Sequence, residues 1–568
     1  MGLNELIIYM YNLKRTIFGA AICGAMMISI SASAQQAVPG PQSPPDPPKN
    51  WHQLDLAKDG YFGISLNQAY DFIKGKKSKT VLVATIDSGC DTLQQDLQGI
   101  IWVNPKEVPG NGKDDDHDGY VDDVHGWDFL GGRGGKCDFT ETTEEVREYA
   151  RLKPKYDGIT SAPAGDEKGY NYWLSVKAIH DTTIAHSTVE LDGLQRTLEF
   201  LMVTNGIIKK ALHLGPNGTF TINDLSKIQT SNDTVKNGLD TLKVGIVGWS
   251  DILNLEGDST TNVKVIKDIN EEVEKDNNDI NPDLGSRKDI VGDNPNVWSS
   301  NYGNNLVEFA DASHGTGVAG LIGAKRGNGY GIDGVADNVH IMIIKAVPNG
   351  DEYDKDIANA IRFAVNHGAK VINMSFGKKI SPHKAWVDSA FEYAAAHDVL
   401  LVQAAGNDNQ DMDTKPQFPN DTYLDGTTTD NVIDVGASGW KQDTTLAASF
   451  SNYGQKNVDI FAPGVKVTSI DMNAEFNTAD GTSFSSPIVT GIATLILEYY
   501  PKLSAAQVKE AILESATPLK GTMVYKPGTH DLVDFTTLSK TGGIVNAYRA
   551  LEIASKMKGE RKKKDEIN

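Results

Sequence analysis

Cysteine is scarce, with three in 568 residues (Cys23, Cys90 and Cys137), so no disulfide framework staples this fold. Neither the cysteines nor the twelve histidines show the ligand spacing of a zinc site. Long apolar runs are equally scarce. The run from Thr16 to Ile30 is shorter than the roughly 20 residues a membrane span needs. It follows Lys14 and Arg15 and ends in Ala32-Ser33-Ala34, which reads as a secretory signal peptide over 1–34. Export to a periplasm or the extracellular space is therefore expected, with no stable membrane span after cleavage. Cleavage after Ala34 removes Cys23; whether Cys90 and Cys137 then pair is a matter of geometry. Positive charge is also in deficit: 54 Lys+Arg stand against 75 Asp+Glu, a formal charge of −21. That sign excludes nucleic acid and anionic membrane surfaces as main partners and favours divalent cations. There is no internal repeat, and nothing calls for an oligomer, so a monomer is expected.

What is present divides into unequal parts. Residues 35–50 are proline-dense and polar, an extended tether. From there to about Thr80 there is little room for a folded propeptide. Residues 64–73 predict a short helix, and TVLVATID (80–87) a strand buried on both faces. From about 288, apolar runs at 340–347, 370–376, 399–406, 432–438 and 458–464 alternate with helical patterns, for instance 356–367 and 384–397. This βα rhythm predicts a three-layer α/β fold with a doubly wound, mainly parallel sheet. Residues 488–500 read as a strongly apolar helix, and 504–516 as a second one capped by Ser504. Residues 140–287 break the rhythm and, with Leu191, Leu194, Leu198 and Leu201 at helical spacing, predict a mainly helical insertion. The catalytic parts are then 51–139 and 288–555, followed by a basic tail at 556–568.

Hydrolysing an amide needs a nucleophile, a base, a group to orient the base, and donors for the developing oxyanion. VLVATIDSG (81–89) offers Asp87 at a strand end, HGTGVAG (314–320) offers His314 among small residues, and GTSFSSP (481–487) offers Ser483 ahead of a helix. Taken singly, a strand-end Asp, a packed His and a helix-capping Ser are ordinary structural features. Together with AAGN (404–407), and in this order, the segments resemble the signature segments of the subtilisin-like serine proteases, peptidase family S8.

The resemblance covers roughly 60–150 and 288–550. It implies that Asp87 orients His314, that His314 is general base and then acid, that Ser483 attacks, and that Asn407 donates to the oxyanion. It also implies that Ser375, Phe376 and Gly377, with Ala405 and Gly406, flank the P1 side chain of a protein or peptide substrate and pair with it as added strands. The expected activity is that of a serine endopeptidase. Two rivals remain: a tripeptidyl-type exopeptidase, and a protease-like binding protein without activity. Gly317 stands where many relatives carry a second histidine, and 227 residues separate Asp87 from His314, far more than in compact members.

NGKDDDHDGYVDDVHGWDF (111–129) sets Asp114, Asp116 and Asp118 at alternate positions around Gly119, with the Tyr120 carbonyl and Asp122 following. This matches the first half of an EF-hand loop, without the closing Glu, and predicts a structural calcium ion. Asp289 and Asp293 are candidates for a second cation.

Overall fold

The computed structural model describes residues 46–228, 236–256, 261–308 and 312–561; the expected signal peptide, most of the tether and the end of the basic tail lie outside the described residues. The described residues divide into two compact units, one within 163–282 and one within 47–162 and 283–561. The expected insertion was 140–287; the division falls inside it and leaves the helix Glu144–Tyr156 in the larger unit.

The larger unit is built on seven strands: β1 (Val81–Asp87), β2 (Gly126–Asp128), β3 (Val339–Lys345), β4 (Val371–Met374), β5 (Leu400–Ala404), β6 (Val432–Ser438) and β7 (Ile460–Pro463). They lie in the order β7-β6-β5-β4-β1-β3-β2 and every pair is parallel. The short segments Gly543–Ile544 and Thr517–Pro518 extend the sheet beyond β7.

These strands are apolar on both alternations because both faces are covered. Val83, Val371, Val402 and Ile433 pack on one side with Ile488, Ile492 and Ile496. Ala84, Ile86, Ile372 and Leu401 pack on the other with Ile357, Ile361 and Phe391. The first layer is dominated by the helix Thr482–Tyr499, buried nearly all round, as its apolar composition requires. The second contains the helices Asp354–Asn366 and Lys384–Ala396. The helix Ala505–Ser515 starts at Ser504, whose side chain accepts from Gln507 N in a capping box.

β1 stands between β3 and β4, so the strand order reverses at its carboxyl end. In an open α/β sheet that reversal opens a crevice. Asp87 is the last residue of β1 and pairs in register with Lys345.

The smaller unit is helical. Its longest element, Glu167–Ala211, packs with Lys236–Glu256 and Asn262–Ile280 around Leu201, Ile208, Phe220, Trp249, Leu253 and Val265. The Trp249 indole N–H donates to Thr204 Oγ1 at 3.0 Å. Among the described residues no helix is long and apolar enough to cross a membrane. Cys90 and Cys137 are both free thiols, so the open pairing resolves as no bridge. Burial pushes the Cys137 thiol up to about 12.

Candidate active site

Three loops converge at the crevice, and glycines make the convergence possible. The helix Ser313–Gly323 carries His314 as its second residue. A Cβ on Gly315 would lie 2.0 Å from the Gly89 carbonyl, so only glycine lets this helix approach the end of β1 so closely. A Cβ on Gly320 would lie 2.4 Å from Ile470, on the hairpin Val467–Ile470 with Phe476–Ala479 that leads to Ser483. Gly317 is not under such pressure. A Cβ there would meet Ile470 and Phe484 at 3.5 Å, ordinary contact.

His314 Nδ1 lies 2.7 Å from Asp87 Oδ1, which also accepts from Ser88 N at 2.8 Å. Asp87 is 2% exposed, and its Oδ2 is buried with no hydrogen-bond partner. Burial pulls the His314 imidazole down, but the Asp87 charge and hydrogen bond push harder and leave it above the usual value. The ring remains 40% exposed, so it can meet a substrate.

Ser483 is the second residue of Thr482–Tyr499, and the ring of the next residue, Phe484, packs edge-on to His314 at 6.1 Å between centroids. Asn407 Oδ1 accepts from both Thr482 N and Thr482 Oγ1 at 2.9 Å. That fixes the amide and turns Nδ2 towards the serine. A point at the Cβ position of Gly481 lies 3.0 Å from Ser483 Oγ and 3.7 Å from Asn407 Nδ2. Ser483 Oγ makes no hydrogen bond to a described residue; in free active sites such bonds often form only with substrate.

Ser375 Oγ donates to the Ser483 carbonyl at 2.9 Å and accepts from Asn373 Nδ2 at 2.9 Å, which ties the 375–377 segment to the serine helix. Ala405 and Gly406 are held from behind by Asn452, whose Nδ2 donates to Ala405 O and whose N donates to Gly406 O. The structure thus brings Asp87 and His314 into contact, Ser483 Oγ and Asn407 Nδ2 to one point, and Ser375 and Gly406 against the start of the serine helix. Sequence reasoning did not find Lys378. Its buried ammonium joins Glu144 Oε2 at 2.7 Å, Asp354 Oδ1 at 2.9 Å and the Glu352 carbonyl at 2.7 Å, at the end of the 375–377 segment. The run of acids at 351–354 was the available signal.

Among the described residues, carboxylate oxygens of Glu107, Asp114 and Asp116 lie within 4.8 Å of one another, as do ligand atoms of Asp116, Asp118 and His367. Glu107 was missed because it lies outside the loop, seven residues ahead of Asp114. Asp122 turns elsewhere: its carboxylate accepts from Gly110, Asn111 and Gly112 N–H groups at 3.0, 3.2 and 2.7 Å. Tyr120 packs its ring on Trp127 and Phe363. Glu107 Oε2 and Asp116 Oδ1 are buried without hydrogen-bond partners, which suits a hard cation. The second site is a correction. Asp293 is already neutralised by Arg287 at 2.8 Å and Lys355 at 2.6 Å, and Asp289 is exposed.

A sequence model of the subtilase family matches residues 78–542. The thermophilic serine proteinase of Bacillus sp. (strain AK1) is 36% identical over 214 residues, 38% of this chain and 49% of that protein. Subtilisin DY of Bacillus licheniformis is 35% identical over 216 residues, 38% of this chain and 74% of that protein. The cell wall-associated protease of Bacillus subtilis (strain 168) is 34% identical over 38% of this chain and 22% of that protein. The chain thus spans half or less of the length of two of these relatives.

Proposed function

The chain belongs to the subtilase family, and on that premise we propose that it is an exported serine endopeptidase acting through Asp87, His314 and Ser483. The observation that carries the reading is the 2.7 Å Asp87–His314 pair, whose imidazole packs on Phe484, the residue after a serine whose hydroxyl shares its space with the Asn407 amide.

The chemistry follows from those positions. Asp87 holds His314 with Nδ1–H towards Oδ1, leaving Nε2 as the acceptor. His314 Nε2 takes the Ser483 proton as Oγ bonds to the scissile carbonyl carbon. Negative charge moves onto the carbonyl oxygen, where Asn407 Nδ2 donates to it. His314 then gives its proton to the leaving amine as the C–N bond breaks. Water repeats the sequence to release the acyl group. The backbone groups of Phe376 and Gly377, which among the described residues pair with no other backbone group, are available to an extended peptide that passes through the site.

Two further parts belong to this reading. A calcium ion held by Glu107, Asp114 and Asp116 would cancel buried negative charge and brace the loop ahead of β2. Export rests on the 1–34 segment, which lies outside the described residues.

The test compares the purified mature chain with Ser483→Ala on an unstructured protein and sequences the fragments. Internal cuts made by the parent alone, with a loss of at least about 10⁴-fold in the variant, are expected. Tripeptides released from the amino end would replace the endopeptidase with an exopeptidase. Cleavage unaffected by the substitution would sink the assignment.

A further inference from the structure

The segments 375–377 and 405–406 each end in a glycine, and both glycines face the same side chain. A Cβ on Gly406 would lie 2.2 Å from Gln417 Oε1 and 2.9 Å from Gln417 Cδ. A Cβ on Gly377 would lie 3.4 Å from the same Oε1. One amide therefore occupies the floor between the two segments that, in the reading above, receive the P1 side chain. Gln417 is held there from both ends. Its neighbour Phe418 exchanges backbone hydrogen bonds with Lys378, at 2.8 and 2.9 Å, beside Gly377. Its Nε2 donates to Asp408 Oδ2, one residue beyond Asn407. The amide is thereby oriented. Nε2 is committed to the carboxylate, and Oε1 faces the gap, accepting no hydrogen bond from a described residue.

We propose that Gln417 sets the P1 preference of this site, selecting a short side chain that carries a hydrogen-bond donor (Ser, Thr or Asn) over a bulky apolar one. The proposal rests on Ser483 being the nucleophile. Two physical effects act in the same direction. The amide stands within van der Waals range of both backbone segments, so it fills space that a Phe or Leu side chain would need. An apolar P1 group that did enter would also strip water from Oε1 without replacing its hydrogen bond. A site built around such an acceptor discriminates against ligands lacking the donor. Leaving one acceptor unpaired corresponds to about 10–100-fold in kcat/KM.

The experiment uses the full mature chain and blocked tetrapeptide p-nitroanilides that differ only at P1 (Ser, Thr, Asn, Leu, Phe, Lys). Active sites are counted by a fluorophosphonate that labels the parent and not Ser483→Ala. The expected result is a kcat/KM for Thr and Asn about 10–100-fold above that for Phe. Gln417→Gly, which deepens the pocket, should raise kcat/KM for Phe at least 10-fold with little change for Ser. Gln417→Met, of similar length without the acceptor, should lose the preference for donors. Melting temperatures check that both variants fold, and the parent's P1 profile tests the proposal on its own. A parent that prefers Phe, Leu or Lys overturns it, as does a P1 ratio unmoved by either variant. If no peptide is cleaved and Ser483 takes no label, the underlying reading falls and this one with it. Labelling of Ser483 with a flat P1 profile overturns this one alone.

Discussion

At the scale of single residues, the site depends on groups whose free atoms are aimed by bonds made behind them. Asn407 is the plainest case. Its Oδ1 is spent on two donors from Thr482, so its Nδ2 has one direction left. Asn407→Ala should lower kcat by about 10²–10³-fold with KM little changed, because in the proposed mechanism the amide bonds to charge present only in the transition state. A parallel loss in KM would point to substrate binding instead. His314 yields a pH prediction. Its imidazole lies above the usual value, since the Asp87 charge outweighs burial, and only the neutral ring can accept the serine proton. kcat/KM should therefore rise with pH through a midpoint above about 6.5. A midpoint below that value would contradict the pairing with Asp87.

Among the elements, the helix Thr482–Tyr499 does most to place the chemistry. It carries Ser483, the proposed nucleophile, in its first turn, packs against the sheet, and bears a buried carboxyl, Glu498, next to its last residue. Burial pushes Glu498 up to about 9, and neighbouring Asp337 adds to the shift. The end of a helix, where carbonyl oxygens are concentrated, is a poor place for negative charge. The fold thus holds this proton more tightly than the unfolded chain, whose carboxyl titrates near 4.5. Between those values the unfolded state binds fewer protons, so stability falls as pH rises from about 5 to 9. Glu498→Gln should flatten that part of the Tm–pH curve and raise Tm at pH 8. An unchanged slope would place the proton elsewhere. The histidine helix Ser313–Gly323 has a different constraint, close approach, which Gly315 and Gly320 satisfy.

For the whole molecule, the formal charge of −21 is partly organised into buried clusters. Most are matched by cations: Lys378 with Glu144 and Asp354, Arg287 with Asp293 and Asp356. Around Glu107 and Asp116 two buried oxygens have no hydrogen-bond partner. A chelator should therefore lower Tm, added calcium should restore it, and Glu107→Gln should shrink the response. A melting curve indifferent to chelator would remove calcium from the account.

Much of this was legible from the residues alone. Short continuous apolar runs alternating with helical spacing determined the sheet and its flanking helices, because hydrophobic burial is read directly from residue type and interval. The resemblance of VLVATIDSG, HGTGVAG, AAGN and GTSFSSP, in that order, to the signature segments of the subtilisin-like proteases singled out Asp87, His314, Asn407 and Ser483, because each segment is a local run at a strand end or a helix start. Which side chains meet was decided by the tertiary structure alone. Glu107 joins Asp116, Asp122 turns to the backbone, Arg287 and Lys355 claim Asp293, Cys90 stays apart from Cys137, and Gln417 enters between Gly377 and Gly406. Each depends on how loops and segments meet once the chain has folded, and a side chain's partner in such a meeting has no period in the sequence.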